Sequence, residues 1–307
     1  MSRVAVVGAG AWGTALAVQA LRAGSAVVLW ARDPGRRRGA GLPAGIELTG
    51  DLPGACDAVL VAVPVQHLRS VAARLRPQAP LVACAKGVEA GTLAMPLEVL
   101  AELHPHVPGA VLTGPNFAHE VAAGLPTAAV VAAADAGLRA DVMRLLSSPG
   151  FRLYGNEDPV GAQVGGAAKN VIAIAAGAVI GAGLGENARA ALITRGLAEL
   201  SRLALSLGGR AETVAGLSGL GDLLLTCTGS SSRNYRCGLA LGQGEPLAGV
   251  LRRADGVIEG VPTAPALVAR AAGVELPVCA AVAELLAGRI TLDQAIAALL
   301  ARPMRDE

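Results

Sequence analysis

Three glycines near the start of the chain, Gly8, Gly10 and Gly13, set the tightest limit on what it can fold into. They follow the apolar, β-branched run 4–7 and precede a helical pattern over 14–22. A GxGxxG alone is a weak pattern, but between a strand and a helix it is a strong one. The first glycine permits a tight turn, the second lets the backbone approach a pyrophosphate, and the third lets helix and strand pack closely. The N–H groups at the helix start, from Ala11 and Trp12 onward, then face the anion.

The hydrophobic pattern extends this unit into a sheet. Short apolar runs at 26–30, 58–63, 81–84, 110–113 and 128–131 alternate with helical stretches, and a last short strand is expected at 151–154. Continuous apolar strands separated by helices belong to a parallel sheet covered on both faces. From about residue 160 the strand-like runs stop. Ala/Leu segments at helical spacing take over at 167–180, 188–207, 264–272 and 278–287, and Thr291 with Gln294 forms a capping box for a final helix. The expected fold class is α/β: an N-terminal Rossmann-like, doubly wound parallel sheet over 1–160, followed by an all-helical C-terminal domain over 161–307. A chain of 307 residues is long enough for two such cores.

Composition removes several functional classes. A 53% hydrophobic content excludes a disordered chain, and a net charge of +2 with 2% aromatic residues argues against nucleic-acid binding. The five cysteines are an odd set without a CxxC pair, which reads as free thiols in a reducing cytoplasm. The apolar run 171–185 is shorter than the ~18–20 residues of a spanning helix, so stable membrane insertion is not expected. Arg3 and the apolar stretch after it superficially mimic a signal peptide, but three internal glycines make a poor signal core. His119-Glu120 lacks the second histidine of HExxH, and His104 and His106 sit in a Pro-rich linker, so no metal is expected.

The balance of basic residues is more telling. Of the 26 lysines and arginines, only Lys86 and Lys169 are lysines. An amine can give up its proton at accessible pH and a guanidinium cannot. Lys86 lies directly after an apolar strand, in Ala85-Lys86-Gly87-Val88-Glu89, where open α/β sheets bind ligands. Gly114-Pro115-Asn116-Phe117-Ala118 follows another strand in the same way and suits an anionic or carbonyl substrate. Lys169 is set among Gly, Ala, Val and Ile, where desolvation lowers an amine's pKa; the plainer alternative is a lysine that reaches out to solvent.

Asp222 is the one charged residue between Ala215 and Ser232, and a lysine ammonium is a plausible partner for it. Ser230-Ser231-Ser232-Arg233-Asn234-Tyr235 reads as an anion-binding helix start, with hydroxyls to cap the helix and Arg233 to hold a phosphate; a plain serine-rich N-cap is the alternative. At the end of the second strand, Arg32 favours the 2′-phosphate of NADP(H), while Asp33 leaves NAD(H) open. Arg37 and Arg38, in the run Arg36-Arg37-Arg38, read as solvated loop.

Together these segments resemble the bacterial-type NAD(P)-dependent glycerol-3-phosphate dehydrogenases over essentially the whole chain. The resemblance rests on GAGAWGTALA, the AKGVE around Lys86, GPNFAHE, GGAAKNVIAIAAG, ITRGLAE, GLSGLGDLLLTC, SSRN and GVIEG, in that order. It implies reversible reduction of dihydroxyacetone phosphate to sn-glycerol 3-phosphate, which supplies glycerophospholipid synthesis. By position it implies that Lys169 is the general acid/base, with Asp222 in its site and Asn170 and Thr226 as supporting partners. Lys86, Gly114, Asn116, Lys169, Asp222, Ser232, Arg233 and Asn234 are the implied substrate contacts. Gly8, Gly10, Ala11, Trp12, Gly13, Arg32, Lys86, Ala118, Arg233, Val257 and Glu259 are the implied cofactor contacts. A homodimer through the helical half is expected from the resemblance alone. Two departures stand out: Asn116 occupies a position where the family commonly has serine, and the stretch between Arg32 and Leu52 is short. The rival readings are a related dehydrogenase of a β-hydroxy acid or ketopantoate, and a catalytically silent NADP-binding regulator. The latter would have no use for Lys169, Asp222 and the Ser-Arg-Asn run together.

Overall fold

A computed structural model describes residues 2–37 and 41–301. The chain runs through β1 (Arg3–Val7), α1 (Ala11–Arg22), β2 (Ala26–Trp30), β3 (Ile46–Thr49), β4 (Ala58–Val61), α2 (Val65–Ala72) and β5 (Leu81–Ala83). It continues through α3 (Pro96–Leu103), β6 (Gly109–Thr113), α4 (Ala118–Ala123), β7 (Thr127–Ala132), α5 (Ala136–Leu146) and β8 (Phe151–Asn156). Helices then follow: α6 (Pro159–Gly181), α7 (Gly185–Ser206), α8 (Ala211–Ala215), α9 (Asp222–Thr228) and α10 (Arg233–Gly242). The last four are α11 (Leu247–Arg252), α12 (Gly260–Arg270), α13 (Pro277–Leu286) and α14 (Leu292–Leu300).

The strands form one sheet in the order β3-β2-β1-β4-β5-β6-β7-β8. Alternate residues of each strand point to opposite faces, and both faces are apolar. Val4 and Val6 pack with Leu16 of α1 and Leu29, whereas Ala5 and Val7 pack with Leu68 of α2 and Leu100 of α3. A third core surrounds α6, where Ile172 and Ile174 meet Leu200, Leu223 and Leu267. The helix α6 is buried almost all round, and α10 lies against it so closely that a methyl at Gly238 would strike the carbonyl oxygen of Ile174.

The structure departs from the sequence reading in four places. β7 runs antiparallel to β6, so the sheet is not parallel throughout. A continuous apolar run reads alike in either direction, because both faces of the strand are covered. The edge strand β3, with its half-exposed residues, had no clear signal. The uninterrupted apolar helix is also longer than the 171–185 run: α6 has 23 residues, enough to cross a membrane, but 89% of its most apolar window is buried in protein. Finally, Pro34–Arg37 forms a short 3-10 turn, and Arg38 lies outside the described residues. The capping box at the last helix is present, with Thr291 Oγ1 accepting from the Gln294 N–H.

Candidate active site

Because β1, β4, β5 and β6 are parallel, their C-terminal ends share one edge of the sheet. The turn from β1 into α1 starts at Gly8, whose φ is +116° and where a Cβ would lie 2.8 Å from the Ala62 carbonyl oxygen. A methyl at Gly13 would collide with the Gly8 carbonyl oxygen. Gly10 differs: nothing lies within 4 Å of its Cβ direction, it is exposed, and α1 begins there without a side-chain cap or an acidic first turn. The loop is therefore closed on the protein side and open above the helix start, as a pyrophosphate requires. Two buried polar atoms without protein partners, Trp12 Nε1 and Glu259 Oε2, add to this fit for a dinucleotide. Arg32 stands exposed beyond β2 and Ala118 opens α4.

At the ends of β5 and β6, Lys86 Nζ donates to the Gly114 carbonyl oxygen at 2.9 Å and to Asp222 Oδ2 at 2.6 Å. Lys169, on α6, donates to the other oxygen of the same carboxylate, Oδ1, and to Thr226 Oγ1 at 2.9 Å. Asp222 is 0% exposed and Lys169 is 7% exposed. One buried carboxylate thus holds two amines, one from the sheet edge and one from the helical half. Burial pulls the Lys169 amine down to about 8, and the Lys86 charge adds to the effect, while Asp222 opposes it. The desolvation expected from its Gly/Ala/Val surroundings is what the structure contains.

Asp222 reaches this position from an unusual piece of backbone. Residues Leu217–Gly221 form a π-helical turn directly before α9, with the Gly221 N–H donating to the Gly216 carbonyl at 3.1 Å. Such turns are concentrated at functional sites. Gly165, four residues before Lys169, lets α6 lie on this turn backbone to backbone; a methyl there would collide with the Ser218 carbonyl oxygen. The spacing Gly165…Lys169 on one side and Gly219…Asp222 on the other therefore brings amine and carboxylate together. Gly165→Ala should cost about 1–3 kcal/mol by overpacking and reduce turnover at the same time; thermal melts and steady-state kinetics on the variant check both.

Two further groups border the cluster. Ser232 caps α10, accepting from the Tyr235 N–H at 3.2 Å. Arg233 is exposed beside Gly256, whose φ of +148° brings that segment so close that a Cβ would strike the guanidinium. Burial pushes Glu259 up to about 7, with Arg233 acting in the opposite direction. Asn234 Nδ2 donates to Asn170 Oδ1, and Asn234 Oδ1 accepts from the Gly260 N–H, both at 2.9 Å. This links α10, the residue after Lys169, and the start of α12. Val257 is 40% exposed on the same segment.

Asn116 makes no hydrogen bond to the amine cluster, and its buried Oδ1, 3.5 Å from where a Cβ on Gly114 would sit, has no protein partner. Its Nδ2 donates to Thr127 Oγ1 at 3.0 Å and to the Ala128 carbonyl at 2.8 Å, pinning the loop after β6 to the start of β7. Thr113, which no motif in the sequence marks, has a buried, unpartnered hydroxyl 3.0 Å from where a Cβ on Gly166 would sit, beside the Lys86 stem. Its place as the last residue before Gly114 was the available signal.

A dinucleotide-ready sheet edge facing a buried amine–carboxylate cluster defines a two-domain, nicotinamide-dependent dehydrogenase. Residues 3–138 match the family model of the NAD-dependent glycerol-3-phosphate dehydrogenase N-terminus, and residues 158–297 match that of its C-terminus. The glycerol-3-phosphate dehydrogenase [NAD(P)+] of Acidiphilium cryptum is 58% identical over 99% of this chain and 98% of its own length. That of Gluconobacter oxydans is 51% identical over 98% of this chain and 97% of its own length. The crystal structure of glycerol-3-phosphate dehydrogenase from Coxiella burnetii superposes with a TM-score of 0.93 at 36% identity, covering 98% of this chain and 99% of that one. The chain belongs to the NAD-dependent glycerol-3-phosphate dehydrogenase family.

Proposed function

We infer that the chain interconverts dihydroxyacetone phosphate and sn-glycerol 3-phosphate with NADP(H) or NAD(H), and that it supplies glycerol 3-phosphate for glycerophospholipid synthesis. The observation that carries the mechanism is the buried Asp222 carboxylate bridging Lys86 and Lys169 beside the sheet edge. Residues 1–160 hold the dinucleotide in this reading and 161–307 supply most of the substrate contacts.

When bound, the nicotinamide gives hydride to the ketone or takes it from the alcohol. Lys169 handles the proton. Negative charge builds on the carbonyl oxygen during reduction, and the ammonium stabilises that charge and delivers a proton. In oxidation the neutral amine removes the alcohol proton. Asp222 and Thr226 aim the amine, and Lys86 is the second positive charge at the reacting end. Arg233, the α10 start capped by Ser232, and Asn234 hold the phosphate, so that its binding energy orients the carbonyl. Gly8, Gly10, Ala11, Trp12 and Gly13 would hold the pyrophosphate and Arg32 a 2′-phosphate, with Ala118, Val257 and Glu259 completing the cofactor contacts. Gly114 contributes its carbonyl to hold Lys86. The Asn116 Nδ2 is committed to Pro115 and β7, while its unpartnered Oδ1 is left for a substrate hydroxyl.

The direct test is NADPH oxidation on adding dihydroxyacetone phosphate, beside dihydroxyacetone, a β-keto acid and ketopantoate. Turnover confined to the phosphorylated ketone is expected; equal turnover of a non-phosphorylated substrate would refute the reading. Arg233→Ala should raise the KM for dihydroxyacetone phosphate by about tenfold or more, in keeping with the ~1.5–3 kcal/mol of a charge-assisted hydrogen bond. An unchanged KM would remove Arg233 from the phosphate site. The pH dependence follows from Lys169. Reduction needs its ammonium, so kcat in that direction falls as pH rises through about 8; oxidation needs the free amine, so kcat rises over the same range. Initial rates in both directions from pH 6 to 10 check the opposing slopes. We also infer a homodimer joined through the helical half, in line with its exposed Leu184, Leu205 and Leu224, and a cytoplasmic setting suited to five free cysteines. Light scattering in solution tests the dimer.

A further inference from the structure

Lys86 is held at Asp222 by a segment that has no regular structure of its own. After Lys86 the chain turns at Gly87, with φ +155°, where a Cβ would lie 2.9 Å from Val65 Cγ1 of α2 and 2.8 Å from Thr263 Oγ1 of α12. The turn is thus threaded between a helix of the sheet domain and a helix of the helical half. Residues 88–94 then close into a compact loop, with the Glu89 N–H donating to the Ala94 carbonyl and the Leu93 N–H to the Glu89 carbonyl. Leu93 has φ +63°, a left-handed conformation that is uncommon for a residue with a side chain. Loops of this kind keep their shape only when their surroundings enforce it.

Side chains of α2 do the enforcing. Gln66 Nε2 donates to the Val88 carbonyl at 2.8 Å, and Gln66 Oε1 accepts from the Ala90 N–H at 2.9 Å, so one amide grips the loop backbone as a neighbouring strand would. One turn further along α2, Arg69 Nε and Nη2 hold the Glu89 carboxylate with contacts of 2.8–3.1 Å, while Thr92 donates to that carboxylate from within the loop. Arg69 Nη1 is anchored in turn by Glu102 at 2.8 Å. Glu89 is buried, so removing Arg69 would leave a buried carboxylate without its charged partner, which is costly.

We propose that Gln66, with Arg69 behind it, is a positioning residue for Lys86: it fixes the loop from which the Lys86 amine reaches Asp222 and the substrate. Neither side chain touches the amine cluster, and neither belongs to the motifs that mark the site in the sequence. The proposal rests on the reading of Lys86 as a site residue and is tested together with it.

The experiment is a double-mutant cycle on the full-length protein, with kcat for NADPH oxidation by dihydroxyacetone phosphate, NADPH affinity and thermal midpoint measured for each variant. Gln66→Ala should lower kcat about tenfold or more while the protein stays folded and NADPH affinity changes less than about twofold. In a Lys86→Ala background, Gln66→Ala should have almost no further effect on kcat, because the group it positions is gone. Arg69→Lys, which keeps the charge but not the paired contact, should fall between wild type and Arg69→Ala. Wild-type kcat in Gln66→Ala, or losses that multiply in the double variant, would overturn the positioning role while leaving Lys86 in the site. Full turnover by Lys86→Ala would overturn the site reading and this proposal with it.

Discussion

Lys169→Ala is expected to lower turnover by about 10²–10⁴-fold and to leave NADPH affinity close to wild type. The amine lies on α6, bound to Asp222 and Thr226, whereas the pyrophosphate loop lies at the start of α1 on the other half of the molecule. In the proposed mechanism, loss of the amine removes the proton donor and the charge that meets the developing oxyanion, with no change to the dinucleotide loop. Lys169→Arg discriminates further. A guanidinium keeps the positive charge but cannot act as a base near neutral pH, so oxidation of glycerol 3-phosphate should suffer more than reduction of dihydroxyacetone phosphate. Stopped-flow hydride transfer together with fluorescence titration of NADPH separates these effects. A Lys169→Ala protein with wild-type turnover would refute the assignment.

Asp222→Asn should produce the second large effect, and it should appear in stability as well as rate. The carboxylate is completely buried and is shared by two amines that would otherwise repel each other. Removing one partner from a buried ionic cluster costs about 3–5 kcal/mol, since the remaining charges have been taken out of water without compensation. Part of that cost is relieved when Lys169 gives up its proton, because Asp222 is the neighbour that favours the charged amine. The variant should therefore regain stability as pH rises, and its reduction rate should fall away at lower pH than in the wild type. Thermal melts between pH 6 and 9 and a pH–rate profile test both statements; a melting temperature equal to the wild type throughout would show that the cluster contributes nothing to the fold.

Much of this site could be read from the chain, and the rest was hidden for physical reasons. The pairing of Lys169 with Asp222 was legible because each is an isolated charge in an apolar stretch, and a buried charge requires a partner. That Lys86 joins the same carboxylate was harder to see, since it depends on two strand ends and a helix meeting across the molecule. The direction of β7 had a signal of a different kind. α4 has six residues, which rise only about 9 Å, less than the roughly 16 Å of the five-residue strand β6. So short a helix carries the chain little of the way to the far edge, and β7 starts from the edge where β6 ended. The π-turn before Asp222 had no such marker, because its glycines also suit an ordinary loop. Gln66 was illegible for a related reason: its role lies in gripping backbone groups, and no local pattern records which backbone a side chain will meet.

The sharing of one carboxylate by the two amines also makes this protein its own spectroscopic probe. Since Lys86 and Lys169 are the only lysines in the chain, growth on lysine labelled at the ε nitrogen or ε carbon alone places the isotope nowhere but at the two amines that share Asp222. The side-chain spectrum then reduces to two resonances, one from each half of the molecule. Their separate responses to cofactor, substrate and pH would report the proton's location directly, without a mutation and without interference from the rest of the protein.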